Sequence, residues 1–425
     1  MTNTELKAKI SSGGLDTALI ELYGADGIAA ARERYIRTLD GFTEFFGERD
    51  NLVIYSAPGR TEIGGNHTDH NLGKVLAGSV NLDVIAVVSL SVKNTITVKS
   101  EGYNPNVIEL SSLAVRENEF NKSNSLIRGT AARFAEKGYK IGGFDAYTTS
   151  NVLKGSGLSS SAAFEVLIGT ILGGEFNDGG VSAVEIAQIA QYAENVYFGK
   201  PCGLMDQMAS SVGGVISIDF ADVSNPIINK VDFDFATSGY ALCIVDTGGS
   251  HADLTDEYAS IPTEMKAVAG FFGKNVLREV AKADVLANAK TLREKFGDRA
   301  VLRSLHYLDD NEIVDGEVAA LSCNDFSEFK RLIIKSGNSS YKYLQNVYTS
   351  KAVNEQGLSL ALYIAEQVLD GKGAYRVHGG GFGGTTQNFV PVEMVAEFKD
   401  KIESVFGEGS CHVLQIRNAG GVKVS

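Results

Sequence analysis

Lys154-Gly155-Ser156-Gly157-Leu158-Ser159-Ser160-Ser161-Ala162-Ala163 stands between two runs of opposite character. Before it, Phe144 to Val152 alternates and reads as a half-buried strand. After it, Phe164-Glu165-Val166-Leu167-Ile168 reads as a buried helix. A strand, a glycine-rich turn and a helix start together suit a phosphate chain. Glycines remove the Cβ atoms that would block close approach, and the first N–H groups of a helix have no internal partner. Those groups and the positive end of the helix dipole favour an anion. Three consecutive serines add hydroxyls for phosphate oxygens or a metal ion. The turn is not a Walker A loop, because no Gly-Lys-Ser/Thr closes it, and it lacks the GxGxxG spacing. Alone it reads equally well as a Gly/Ser-rich turn capping a helix, so the companion motifs decide.

The chain has 425 residues, room for two or three domains with their own cores. Apolar residues make up 44%, normal for a soluble globular protein. A formal charge of -13 argues against nucleic acid or an anionic membrane as partner, since both require a basic face. No apolar run reaches membrane-spanning length, and the start MTNTELKAK is too polar for a secretory signal. Cys202, Cys243, Cys323 and Cys411 lie far apart without a CxxC pair, which suits a reducing, cytoplasmic setting.

In chain order, Leu15 to Phe46 has the spacing of one or two amphipathic helices. Leu52 to Ala57 is strand-like and leads into a loop, Pro58 to Asn71, that gathers Arg60, His67, Asp69, His70 and Asn71. Val75 to Leu90 reads as one or two strands, Thr95 to Lys99 as another, and Asn124 to Lys137 as a helix. Ser182 to Phe198 is expected to be one helix, opened by a Ser182/Glu185 capping box and carrying an apolar stripe from Ile186 to Tyr197. Glu194 falls near its end, where the helix dipole disfavours a carboxylate unless a cation offsets it. The turn Gly199 to Gln207 then delivers Asp206.

Val215 to Phe220 and Ala241 to Val245 read as strands with a polar segment between them, and Pro262 to Leu308 as mostly helical. Helices at Phe326 to Lys335 and Leu358 to Leu369 precede a second glycine cluster, Arg376-Val377-His378-Gly379-Gly380-Gly381-Phe382-Gly383-Gly384-Thr385. Strand-like segments flank that cluster, and a helix (Met394 to Phe406) and a last strand (Cys411 to Ile416) follow. The pattern suggests an α+β unit with helices on one face of an antiparallel sheet.

Three motifs in order resemble the galactokinases of the GHMP family of small-molecule kinases: APGRTEIGGNHTDHN, NVLKGSGLSSSAAFEV and VHGGGFGGTTQNFV. The similarity runs over most of the chain from about Leu52. It implies an α+β, two-domain GHMP kinase fold. A ribosomal-S5-like N-terminal domain, residues 1–220, would face a ferredoxin-like C-terminal domain, residues 221–425, with the active site in the cleft between them. The implied activity is transfer of the ATP γ-phosphate to the anomeric hydroxyl of galactose, with Mg²⁺.

Residue by residue, the resemblance makes Asp206 and Arg60 the catalytic pair. A carboxylate can take the attacking hydroxyl's proton and an arginine can neutralise developing charge. Asn66, His67, Asp69, Gly203 and Tyr258 match sugar-binding positions. Gly155, Ser156, Gly157, Leu158, Ser159, Ser160, Ser161 and Ala162 form the ATP phosphate loop, and Ser161 and Glu194 match magnesium ligands. Competing readings are a structural Arg–Asp pair, a solvated Glu194, a core tyrosine at Tyr258 and an HxDH transition-metal site, which no further His or Cys cluster completes.

The chain also departs from the family pattern. Glu62 stands where the family has Asn, Asn66 where it has Glu, and His70 where it has Tyr, and the paired arginines expected after Tyr258 are absent. Leu153-Lys154 replaces a proline-containing lead-in to the phosphate loop. A neutral amide at position 66 could accept a hydroxyl or donate to a carboxylate, so galacturonate or another sugar 1-kinase substrate is the alternative to galactose. A non-catalytic sugar sensor is a further alternative, set against an intact Ser161-Ala162 and Asp206. The NHTDH loop argues against a mevalonate-pathway kinase.

Overall fold

β1 (Leu52–Gly64) and β2 (Lys74–Leu90) pair antiparallel and form the spine of the first sheet in this computed structural model. The structure describes residues 1–153, 157–249 and 254–425, and of Thr255 only the backbone. The C-terminal half of β2 pairs with β5 (Phe144–Ser150), which runs parallel to β3 (Thr95–Ser100). β3 also pairs with β4 (Asn106–Glu109). The N-terminal half of β2 pairs instead with β6 (Val215–Asp219), and β6 with β7 (Ile227–Val231).

Alternate residues of β1 and β2 feed different cores, as a period of two requires. Leu52, Ile54, Ile85 and Val87 pack under the N-terminal helices Asn3–Ser11, Asp16–Tyr23 and Ile28–Phe46. Tyr55, Ala57, Val84 and Ala86 face Val166 and Leu167 of helix Ser160–Phe176. A sheet covered on both faces explains why these strands are buried almost throughout.

The second sheet has the order β11 (Cys411–Leu414), β8 (Tyr240–Asp246), β10 (Thr385–Pro391), β9 (Ala374–His378), all antiparallel. Helices Gly357–Leu369 and Val395–Phe406 pack on one face through Ala361, Leu369, Phe398 and Ile402. Its other face, with Leu242, Ile244 and Phe389, joins the main core beside Phe329 and Ile333 of helix Phe326–Ser339. The chain ends by returning to the first sheet, where β12 (Val422–Lys423) pairs with Tyr55 and Ser56 of β1.

A buried polar knot locks that return. The Asp83 carboxylate accepts from Arg34 Nη1 at 2.6 Å, Tyr23 Oη at 2.6 Å, Arg417 Nη1 at 2.9 Å and the Ser56 hydroxyl. Burial pushes its carboxyl up, yet the two guanidinium charges outweigh that and hold it below the usual range.

Several elements differ from the expectation. β1 does not end at Ala57 but runs through the Pro58-Gly59 pair to Gly64, bulging between Pro58 and Arg60 and again between Glu62 and Gly64. β7 falls in the segment read as polar; it pairs with β6 although most of its residues, Ile227 among them, are exposed. The expected helix from Ser182 is α-helical only over Ala183–Tyr192, and Ala193–Phe198 winds as a π-helix. Its capping box is half formed: Ser182 accepts from Glu185 N–H, but the Glu185 side chain pairs with Lys137 and Tyr139. The stretch from Pro262 is mostly helical as expected, divided among the α-helices Thr255–Phe271, Lys282–Ala287, Ala289–Phe296 and Asp298–Ser322.

Candidate active site

The bulge after Pro58 turns the Arg60 backbone toward the glycine-rich turn, and Arg60 N–H donates to Leu158 O at 3.0 Å. Gly59 has to be small there, because a Cβ would come within 2.9 Å of that carbonyl oxygen. The buried guanidinium donates from Nε to Asp206 Oδ1 at 2.6 Å and from Nη1 to Gly157 O. Asp206 lies in the first turn of helix Met205–Val212, where the dipole favours a carboxylate. Its second oxygen, Oδ2, accepts from the Ser159 hydroxyl. Burial raises the Asp206 pKa, but the Arg60 charge and the hydrogen bonds from Arg60 and Ser159 prevail, so the group stays below the usual carboxylate range.

Ser159 is the N-cap of helix Ser160–Phe176, held at φ 59 and ψ 65 in the left-handed region. Its hydroxyl serves Asp206 instead of capping the helix. Leu158 and Ala162 are buried beneath that turn. Ser160 and Ser161 open onto a cavity of about 510 Å³ lined also by Val84, Leu126, Thr148 and Phe164. Gly155 and Ser156 lie outside the described residues.

The π-helical turn at Ala193 aims Glu194 inward, where it is 3% exposed. This removes the reading of Glu194 as a solvated face residue. Ser161 Oγ donates to Glu194 Oε1 at 3.2 Å, and Gln207 Nε2 donates to Oε2 at 2.7 Å. The same amide nitrogen reaches Glu165 Oε2 at 3.2 Å, leaving Glu165 Oε1 and Gln207 Oε1 buried without partners among the described residues. Burial, then the Glu194 charge, pushes the Glu165 carboxyl well up. This set of hard oxygens with orphaned acceptors fits a small divalent cation.

The turn from Gly65 to Asn71 follows β1 and reaches the Asp206 segment through Asp69, which lies against Gly203. His67 is left-handed at φ 57, and its Nε2–H donates to Gly380 O at 2.9 Å, which leaves Nδ1 as an acceptor. Burial lowers the pKa of His67 to about 4. Gly203 sits so close to Asp69 that a Cβ would collide with Oδ2. Tyr258 Oη donates to Gly381 O at 2.7 Å, and its ring lies 6.5 Å from that of His67. His70 is exposed.

Asn66 is fully enclosed and its amide is fully used. Nδ2 donates to Glu62 Oε1 at 2.8 Å and Gly379 O at 2.7 Å, while Oδ1 accepts from Asn346 Nδ2 at 2.7 Å and Ser340 Oγ at 3.3 Å. The backbone of Asn66 is pinned by helix Asp298–Ser322: its N–H donates to Asp310 Oδ2 at 2.8 Å and its carbonyl accepts from His306 Nε2 at 2.9 Å.

Two further residues at this centre were not singled out from sequence. His378, on β9, takes Glu62 N–H on Nε2 at 3.3 Å, with Thr61 Oγ1 at 3.1 Å. Its Nδ1 therefore carries the proton and donates to Thr385 Oγ1 at 2.9 Å. A Cβ on Gly157 would stand 3.1 Å from the same ring, so one imidazole touches all three motifs. Glu62 is the second, and the Glu62/Asn66 interchange was its only trace in the sequence.

Residues 40–90 match the galactokinase galactose-binding signature and residues 125–214 the GHMP kinase N-terminal domain. A galactokinase of Thermotoga petrophila is 33% identical over 328 residues, 77% of this chain and 86% of that protein. One from Streptomyces coelicolor is 28% identical over 370 residues, 86% of this chain and 91% of that protein. A Lactococcus lactis galactokinase solved with galactose shares the fold with TM-score 0.76 at 24% identity, covering 90% of this chain and 98% of that one. A solved mevalonate kinase shares it with TM-score 0.61 at 15% identity, covering 86% and 99%. Two sheets, with an Arg–Asp pair between the first sheet and helix Met205–Val212 and a glycine-rich turn opening a helix beside it, define a GHMP-type kinase of the α+β class. Within that class the chain belongs to the galactokinase family and is a sugar kinase.

Proposed function

We propose that this protein transfers the γ-phosphoryl group of ATP to the C1 hydroxyl of galactose. The observation that carries this reading is the Asp206 carboxylate, which takes Arg60 from the sugar-turn strand on one oxygen and Ser159 from the phosphate loop on the other. A group shared by both motifs is where acceptor and donor must meet. Asp206, kept ionised by Arg60, takes the proton of the attacking hydroxyl, and Arg60 offsets charge on the transferring group. Little else is required of a protein in phosphoryl transfer beyond holding the two substrates in line.

The triphosphate lies along Gly157 to Ala162, and the nucleoside enters the cavity beside Ser160 and Ser161. Ser161 and Glu194 would hold Mg²⁺, which when bound neutralises phosphate charge. His67 Nδ1 and Asp69 accept sugar hydroxyls, Gly203 gives Asp69 its room, and Tyr258 walls the pocket. Asn66 acts by bracing the turn. A sugar acid is the poorer acceptor, because the Asn66 amide has no donor left for a carboxylate. The division near residue 220 belongs to the same proposal, with β7 and β12 reaching back to the first sheet.

A panel of galactose, galacturonate, N-acetylgalactosamine and glucose with ATP and Mg²⁺ tests the reading. ADP release with galactose, and phosphate on C1 of the product, is expected. Turnover of galacturonate without galactose would overturn it.

A further inference from the structure

Glu62 and Arg60 are two residues apart on β1 and so project from the same face of the strand, toward the centre that holds Asp206. One Glu62 oxygen is committed: Oε1 accepts Asn66 Nδ2 at 2.8 Å and lies 3.6 Å from Arg376 Nη2. The other, Oε2, has no protein hydrogen-bond partner among the described residues. Its neighbour Glu317 also has unpartnered oxygens, but they are sealed in a residue 0% exposed. Glu62 retains 6% exposure, and the charges acting on its carboxyl include both Arg60 and Asp69. It therefore sits between the two ends of the sugar pocket with one acceptor free. Asn66 cannot take that part, since its amide is spent inside the protein. Positions 62 and 66 carry a carboxylate and an amide in the reverse of the family order, and the two side chains are bonded to each other.

We infer that Glu62 is a sugar-binding residue: its Oε2 accepts a hydroxyl hydrogen bond from the hexose held between Arg60 and Asp69. An ionised carboxylate is the strongest acceptor a polyol can meet, and the bond is charge-assisted. The inference rests on the proposed sugar kinase reading and adds a specificity contact to it. The groups facing Glu62 are Arg376 on β9, Arg60 on its own strand, Asp69 in the turn, Glu317 on helix Asp298–Ser322, and the His378 ring at its backbone N–H. Burial raises its pKa to about 7, against the pull of Arg376 and of the Asn66 hydrogen bond. The carboxylate is therefore ready to accept above pH 7 and protonated below it.

The test uses the full chain with galactose and its 2-, 3-, 4- and 6-deoxy analogues, measuring kcat and KM from pH 5.5 to 8.5. With galactose, kcat/KM should rise through pH 7. The rise should be absent for the one analogue that lacks the hydroxyl Glu62 accepts. Glu62→Gln should raise KM for galactose about tenfold, the worth of one charge-assisted hydrogen bond, with kcat little changed and no penalty for that same analogue. An identical pH step for all five sugars, or an equal loss across them in Glu62→Gln, overturns the inference and leaves the proposed function standing. No turnover of any sugar by the unaltered chain removes both. The pH series needs no variant, so a Glu62→Gln protein that fails to fold leaves the test intact.

Discussion

Arg60 Nε and Asp206 Oδ1 lie 2.6 Å apart although the two residues are 146 positions apart in the chain. Both side chains are largely buried, and the second Asp206 oxygen is held by Ser159. The pair therefore keeps an ionised carboxylate against the glycine-rich turn.

Asp206→Asn keeps the shape and removes the carboxylate proposed as the proton acceptor. Turnover with galactose should fall about 10²–10⁴-fold while ATP binding, followed by calorimetry, holds. Near-normal turnover would take the role of base away from Asp206.

Gln207 bridges Glu194 and Glu165 through one amide nitrogen. Gln207→Ala should weaken magnesium affinity about 10–100-fold, as loss of an outer partner does, and Glu194→Gln at least as much. Magnesium titration of nucleotide binding reads this without turnover. An unchanged titration in Glu194→Gln would move the metal elsewhere.

Gly203→Ala puts a Cβ into Asp69 Oδ2. Displacing that carboxylate by an ångström should lower kcat/KM for galactose about 10²-fold, with ATP affinity unaffected. Equal losses in sugar and ATP affinity would point to general disorder of the turn.

His67 has a folded pKa of about 4, lowered by burial from an unfolded value of about 6.5. As pH falls through 6.5 the unfolded chain takes the proton first, so the contribution of His67 to stability declines from pH 6.5 down to 4. The thermal midpoint of the unaltered protein should drop more between pH 7.5 and 5 than that of His67→Asn. Equal drops would mean that His67 is solvated.

Asp83→Ala leaves Arg34 and Arg417 buried without their counter-charge. A loss of about 3–5 kcal/mol in urea unfolding is expected, as for other broken buried pairs. A change below about 1 kcal/mol would show that the knot is dispensable.

The readable parts of the sequence were those where local chemistry and local structure agree. The strand before the phosphate loop, the helix after it and the C-terminal strand–helix–strand pattern recur in β5, Ser160–Phe176 and the second sheet. Pro58-Gly59 reads as a turn on propensity, yet pairing with β2 carries the strand through it with a bulge. The π-helical turn at Ala193–Phe198 has no compositional mark, so the inward aim of Glu194 was visible only as a puzzle about a carboxylate at a helix end. Asn66 was misleading for another reason. Its partners Ser340, Asn346 and Gly379 come from 274 to 313 residues away, and no local reading could reveal that they consume its amide.

The imidazole of His378 meets Thr61 across 317 residues of chain, with Gly157 packed against the same ring. A growing polypeptide thus reaches the β9 hairpin long after it has made both loops, and neither loop has its final neighbour until then. Cleavage anywhere between the phosphate loop and β9 is consequently expected to yield fragments that bind neither substrate well, not a weakened enzyme. Recovery on mixing the pieces would measure how strongly the two sheets find each other without a covalent tether.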